Sequence, residues 1–332
     1  LSALRVGVIG LGVGERHLVA YQEAGCEVVA VCDIDPKHLA EVGARYDIGR
    51  LEQDYHKLTE APDIDALSIC SYDDAHVEQA VSALRNGKHV FLEKPLALRR
   101  EDAETLLRAY QESGCRISSN LILRQSPRFI EIQQRVRSGE LGEIFHVEAD
   151  YVHQILWKLT EGWRGKMDFY CVVYGGGIHS IDLMRWVIGK EITEVSGMSS
   201  KILTRDTAYR FDDTFVNLFH FEGGATGKVL TTLGPQRTKF HALTVYGTEG
   251  TFVNDRPHAK FFDGDEPENE HQVTTPYPGM EKGDLLADFI EAIREGREPA
   301  VSARDMFRVM DVCFAAWESV QQHRTLPVSY MI

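Results

Sequence analysis

Short apolar runs alternate with helical stretches over the first third of the chain. The runs are Arg5–Ile9, Glu27–Cys32, Ala66–Cys70, Val90–Leu92 and Arg116–Ser118. Continuous apolar segments of this length read as parallel strands buried on both faces. Between two of them, Val77, Ala80, Val81 and Leu84 fall at i, i+3, i+4 and i+7, the spacing of one helical face. Strand, helix, strand repetition predicts an α/β domain with a right-handed, doubly wound parallel sheet over residues 1–121.

Beyond residue 121 the pattern changes. A helix over 127–138 leads through Gly139 and Gly142 into Ile144–His153, which alternates with period two. Further runs follow at 191–204, 213–222, 224–232, 238–247 and 250–254, some joined by glycine turns such as Glu222-Gly223-Gly224. This spacing predicts an α+β domain over 122–332 with a large, mainly antiparallel sheet, one face on a core and the other open as a subunit interface. The acidic stretch 255–282 reads as surface loop, and helices near 281–295 and 302–323 close the chain.

Composition narrows the class. At 332 residues, 43% hydrophobic and 26% charged, the chain suits about two globular domains. A net charge of −14 disfavours nucleic acid as a partner. The strand-like opening has no charged leader before it, and no run of about 18 apolar residues occurs, so export and membrane spanning are not expected. Six scattered cysteines with no C-x-x-C pair suit reduced thiols and a cytoplasmic protein.

Directly after the first strand comes Gly10-Leu11-Gly12-Val13-Gly14-Glu15, ahead of a helix expected over Glu15–Ala24. Glycines between a first strand and a first helix permit a tight turn and let backbone N–H groups approach a pyrophosphate. The third glycine stands one place early, and Glu15, in its usual place, is expected to turn to solvent. Asp33 ends the second strand, where an acid accepts from the ribose hydroxyls and repels a 2′-phosphate. With Ile34 next to it instead of an arginine, NAD is favoured, while Lys37 and His38 keep NADP possible. Asp35 before Pro36 suits a helix cap.

Further motifs are Ser71-Tyr72-Asp73-Asp74-Ala75-His76, Phe91-Leu92-Glu93-Lys94-Pro95-Leu96, Gly162-Trp163-Arg164, Gly175-Gly176-Gly177-Ile178-His179-Ser180-Ile181-Asp182 and Val245-Tyr246-Gly247-Thr248-Glu249-Gly250. Together with the glycine turn they resemble the Gfo/Idh/MocA oxidoreductases, the family of glucose-fructose oxidoreductase and inositol dehydrogenases, over nearly the whole chain. The resemblance implies an N-terminal Rossmann domain, a C-terminal α/β domain whose open sheet forms oligomer contacts, and a small-molecule substrate between the two. Members mostly oxidise or reduce a secondary alcohol or carbonyl of sugars, cyclitols or their derivatives. It implies cofactor contacts at Gly10, Gly12, Val13, Gly14, Asp33, Ser71, Tyr72, His76, Glu93 and Lys94, and substrate contacts at Arg124, Trp163, Arg164 and Asp182. A homo-oligomer, dimer or tetramer, is expected.

Hydride transfer needs alignment, removal of the hydroxyl proton and stabilisation of charge on oxygen. Lys94, at a strand's carboxyl end, can supply the last two, with burial expected to lower its pKa. His179 is the second proton-transfer candidate, with Asp182 one turn on to hold its ring and three glycines before it to let a substrate approach. Many members place an Asp four residues before this His, where this chain has Gly175; Lys94 then works with His179 alone, or Asp168, Tyr170 or Tyr174 enters the site. Arginines suit anionic groups and an aromatic face suits sugar C–H surfaces. His146 and His153 are an odd number of strand positions apart and face opposite sides, so no metal is expected. One alternative keeps redox chemistry but takes a nucleotide-linked sugar or a non-sugar diol. The other is a non-catalytic dinucleotide-binding regulator, motivated by Gly175.

Overall fold

The computed structural model describes residues 3–281 and 283–332. The chain divides into two compact units. The first takes the residues up to Ile122, then Glu281–Arg308 and Met331–Ile332; the second takes Leu123–Met280 and Val309–Tyr330.

In the first unit the elements run β1 (Arg5–Ile9), α1 (Leu11–Glu23), β2 (Glu27–Cys32), α2 (Pro36–Tyr46), β3 (Leu51–Glu52), α3 (His56–Thr59), β4 (Ala66–Ile69), α4 (His76–Arg85), β5 (His89–Leu92), α5 (Arg100–Ser113) and β6 (Ile117–Ser119). The sheet order is β3-β2-β1-β4-β5-β6, with every pair parallel. That is the doubly wound dinucleotide-binding order, whose crevice opens outside the carboxyl ends of β1 and β4, where the winding direction reverses. Val8, Ala30, Val31, Leu67, Ile69 and Phe91 are all fully shielded, as strands covered on both faces require.

In the second unit come α6 (Pro127–Arg137), β7 (Ile144–Val152), α7 (Trp157–Thr160), α8 (Ile178–Ile188), β8 (Ile192–Ser200), β9 (Thr214–Phe221), β10 (Thr226–Thr232), β11 (Phe240–Gly247), β12 (Thr251–Val253), β13 (Ala259–Phe262) and β14 (Glu270–Val273). The closing elements are α9 (Asp284–Glu295), α10 (Ala303–Gln322) and β15 (Leu326–Pro327). Nine strands join in the order β14-β13-β12-β11-β7-β10-β9-β8-β15, antiparallel throughout except for β7 with β10. On β7, Val147, Ala149 and Tyr151 are buried, while His146, Glu148 and Asp150 stay partly exposed on the open face. α8 packs on β7 and is buried at nearly every position.

Three expectations need correction. The stretch 255–282 is not all loop: β13 and β14 form an edge hairpin with Ala259 opposite Val273 and Phe261 opposite His271. Its buried positions alternate over only four residues, too few to stand out from the acidic surroundings. The second domain does not run unbroken from 122 to 332, because α9 belongs to the first unit. There Phe289 meets Phe91 of β5 edge to face at 5.5 Å, and Ser118 donates to the Val301 carbonyl at 2.9 Å. Finally, α1 starts at Leu11, not Glu15, so the glycines form its first turn. Packing has overridden their poor helix propensity.

Candidate active site

The turn after β1 is made by one residue. Gly10 has φ +83, and a Cβ there would lie 2.6 Å from the backbone of Cys70 and Ser71, so only glycine fits between β1 and β4. Gly14 lets α1 press onto the sheet, its Cβ position being 2.8 Å from the Val8 side chain. This is the packing duty of the third glycine, met one residue early because the helix also starts early. Beside Gly12 the space is open.

A helix leaves its first four amides without intrahelical acceptors. Here the Gly10 amide donates to the Cys32 carbonyl at 2.8 Å, and the Leu11 amide donates to Asp33 Oδ2 at 2.7 Å. The amides of Gly12 and Val13 meet no protein acceptor among the described residues. They stand at the positive end of α1, facing the one flank that a Cβ does not crowd. The turn therefore fits a pyrophosphate.

Asp33 is fixed at the end of β2. Its Oδ2 accepts from Leu11 and its Oδ1 from the Asp35 amide at 2.9 Å, which leaves lone pairs on both oxygens for a ribose diol. Asp35 caps α2 through the Lys37 and His38 amides, as expected. Glu15 is not simply in solvent: it turns back onto α2, accepting from Arg45 and from the Tyr46 hydroxyl. Burial pushes its carboxyl up, but these two partners hold it below the usual carboxylate range.

Lys94 follows β5, half-buried, at the same carboxyl edge of the sheet. Its neighbour Glu93 is buried in the core, only 7% exposed. Glu93 Oε1 accepts from Asn120 Nδ2 at 2.8 Å and lies 3.3 Å from His17 Nε2, while Oε2 accepts from the Lys94 amide at 3.2 Å. Burial would raise its pKa, yet the His17, Lys94 and Asn120 interactions carry it well below the usual value. Behind it, His17 Nδ1 meets Ser68 Oγ at 3.1 Å, and Ser68 in turn meets Tyr21 at 2.8 Å. Glu93 thus ties the Lys94 backbone to α1 from inside the sheet.

His76 is likewise fully buried, its ring nitrogens on the carbonyls of Pro95 at 2.8 Å and Ser71 at 3.2 Å. It ties the loop after β4 to the Lys94–Pro95 segment. In that loop Ser71 donates to Gln79 at 2.7 Å, and Tyr72 is the exposed member. Sequence reasoning missed His17, Ser68 and Asn120. The available signal was a polar side chain inside otherwise apolar segments, as Ser68 is in β4.

In the second unit the predicted group separates into two clusters. Arg124 and Asp182 form a forked ion pair, Nε to Oδ2 at 2.8 Å and Nη2 to Oδ1 at 2.6 Å, both side chains nearly inaccessible. Asp182 also lies 3.9 Å from Arg185. The acid therefore locks Arg124 in a buried ion pair. The other cluster holds Trp163, Arg164, Tyr170, Tyr151 and His179. The Arg164 guanidinium lies 4.2 Å from the Trp163 ring centre and 5.8 Å from that of Tyr170. Tyr151 stacks on His179 at 6.0 Å with 21° between the planes.

The glycine run before His179 forms a π turn, Val173–Gly177, leading into α8. What approaches these glycines is the protein itself, not a substrate. A Cβ at Gly175 would collide with the Tyr170 hydroxyl, one at Gly176 would lie 2.7 Å from the Tyr151 ring, and one at Gly177 would strike Thr231. Gly175→Ala is accordingly expected to destabilise the fold by about 1–3 kcal/mol, the usual cost of overpacking, seen as a lower midpoint in thermal denaturation.

Two family models match the chain. An oxidoreductase family with an NAD-binding Rossmann fold covers residues 4–121, and the GFO/IDH/MocA C-terminal domain covers 129–253. Myo-inositol 2-dehydrogenase of Thermotoga maritima is 24% identical over 342 residues, spanning 99% of this chain and 100% of its own. The scyllo-inositol 2-dehydrogenase (NAD(+)) of Bacillus subtilis is 27% identical over 343 residues, spanning 95% of this chain and 94% of its own. Among solved structures, levoglucosan dehydrogenase in complex with NADH superimposes with a TM-score of 0.89 at 23% identity, covering 99% of this chain and 100% of that one, a likeness of fold. With both family domains matched in order, the sheet in the dinucleotide-binding order and the phosphate turn in place, the chain belongs to the Gfo/Idh/MocA family and is an NAD-dependent oxidoreductase.

Proposed function

We propose that the protein interconverts a secondary alcohol and a carbonyl on a cyclitol, a sugar or a close derivative, with NAD as cofactor and Lys94 as the proton-transfer group. The observation that carries this reading is the shared carboxyl edge of the first sheet, which presents the open amides of Gly12 and Val13 and the Asp33 carboxylate, with Lys94 in the segment that follows β5 at the same edge. The names of the inositol and levoglucosan dehydrogenases support the substrate class.

When bound, the dinucleotide supplies a hydride acceptor or donor. Gly12 and Val13 hold its pyrophosphate and Asp33 its adenosine ribose. Lys94 takes the proton of the substrate hydroxyl in oxidation and returns it in reduction, its positive form stabilising charge on that oxygen. Glu93 and His76 fix the segment from which the amine projects. On the second unit, His179 is a second proton-transfer group, and Trp163 with Arg164 offers a flat face and a guanidinium to a polyhydroxylated substrate. The open face of the nine-stranded sheet, with Phe145, Met198 and Leu218 exposed, fits a second copy in a homo-oligomer. Six buried cysteine thiols fit a reducing, cytoplasmic setting.

The test of substrate class is a panel of cyclitols, aldoses, sugar acids and sugar nucleotides, each followed by nicotinamide absorbance with NAD and with NADP. Turnover of a cyclitol or simple sugar with NAD preferred is expected; turnover confined to sugar nucleotides would overturn the substrate reading. Cofactor choice is tested separately at Asp33 and at Ile34, which is 70% exposed beside it. Asp33→Ala is expected to weaken NAD binding roughly 10- to 100-fold, the value of hydrogen bonds to a charged acceptor. Combined with Ile34→Arg, it moves preference toward NADP; unchanged preference in titrations of both cofactors would remove the ribose assignment.

A further inference from the structure

Resting on the oxidoreductase reading above, we propose that the Tyr170 hydroxyl occupies the place of an acidic side chain at position 175 and serves as a positioning residue for His179. A Cβ built on Gly175 would fall on the Tyr170 phenol oxygen, with the ring carbon bearing that oxygen 2.7 Å away. The hydroxyl therefore sits where a side chain of residue 175 would begin. Gly175 itself is only half-buried, so this spot borders accessible space, while Tyr170 is 2% exposed.

Position 175 lies in the π turn that runs into α8, and His179 follows four residues later. Side chains four apart on a helix start about 6 Å from each other, so a polar atom at the Cβ position of 175 lies within reach of the imidazole. Single π turns of this kind occur often at functional sites. A hydroxyl both donates and accepts, which suits Nε2 of the ring, since the buried Nδ1 makes no hydrogen bond among the described residues. Tyr151 already stacks on the ring. A hydrogen bond from the phenol then sets its rotation, the part played by an acid elsewhere.

The other two groups that could stand in for an acid do not fit. The Asp168 carboxylate is fully exposed and lies 3.5 Å from Arg210. The Tyr174 ring packs between Phe169 at 5.8 Å and Phe314 at 5.5 Å. Tyr170 is instead held on the site side: its ring lies against Arg164, and its carbonyl accepts from the Tyr209 hydroxyl at 3.3 Å.

The experiment compares Tyr170→Phe, Tyr170→Ala and the double variant Tyr170→Ala with Gly175→Asp, on whichever substrate the wild-type protein turns over. Tyr170→Phe keeps the ring on Gly175 and loses only the O–H. Its kcat is expected to fall up to about 100-fold, the scale of a misplaced reacting group. Substrate KM, NADH affinity and thermal midpoint should stay close to wild type, a split that lost packing does not produce. In the Tyr170→Ala background, where the collision is removed, Gly175→Asp is expected to restore part of the lost kcat. Wild-type kcat in Tyr170→Phe, or a folded double variant no faster than Tyr170→Ala, would overturn the proposal. A wild-type protein inactive across the whole panel would instead remove the oxidoreductase substrate reading, so the two failures are distinguishable.

Discussion

Lys94→Ala is expected to bind NADH with nearly unchanged affinity and to lose between about 100- and 10,000-fold in kcat, the range supplied by a positioned proton-transfer group. Binding is expected to be preserved because the pyrophosphate and ribose contacts we propose come from Gly12, Val13 and Asp33, on other elements of the sheet edge. The backbone at 94 also keeps its place, since the Glu93 carboxylate accepts from the amide and not from the side chain. Fluorescence titration with NADH and steady-state kinetics on the same preparation separate the two effects. A variant that turns over at close to the wild-type rate would falsify the assignment of Lys94.

The second large effect is expected at Glu93, for a different reason. Both of its oxygens accept hydrogen bonds, one from Asn120 Nδ2 and the other from the Lys94 amide, with His17 Nε2 3.3 Å from the first. Glu93→Gln therefore turns an amide NH₂ toward the Lys94 amide, or requires Asn120 to flip, and it removes a buried negative charge held by hydrogen bonds. Leaving buried hydrogen-bonding groups mispaired in this way costs about 1–3 kcal/mol. For a unit of this size that is a thermal midpoint roughly 2–12 °C lower. Because the folded-state pKa of Glu93 lies below its unfolded value, the stabilisation is complete above about pH 4.3 and is lost as pH falls toward the depressed folded value. The stability gap between wild type and Glu93→Gln should thus be wide at neutral pH and shrink in acid, as read by denaturant titration across that range. A gap that stays constant with pH would show that Glu93 is not held as a buried carboxylate.

The Lys94 and Glu93 results together separate neighbouring roles that look alike in the linear chain. Glu93 and Lys94 are adjacent, yet Glu93 is buried and Lys94 only half-buried. Which of the two enters the core depends on His17 and Asn120, which are distant in sequence and were not legible as partners. The first sheet was legible because strands buried on both faces write continuous apolar runs; β3, two residues long, writes nothing. The start of α1 was hidden because glycines argue against helix locally, and only the packing of Gly14 on Val8 and Cys70 reverses that preference. Arg124 and Asp182 each carried a plausible substrate role when read alone. They are 58 residues apart, and no spacing rule pairs them. Gly175 read as a missing acid, and the reason for glycine there is the Tyr170 hydroxyl, an approach created by the turn between them.

The most direct test of the central claim is a crystal structure of the protein grown with NAD. The account predicts pyrophosphate density against the amides of Gly12 and Val13, the adenosine ribose on Asp33, and the nicotinamide end of the dinucleotide beside the Lys94 amine. Dinucleotide density away from this sheet edge, or a Lys94 side chain directed into bulk solvent with the cofactor in place, would contradict it.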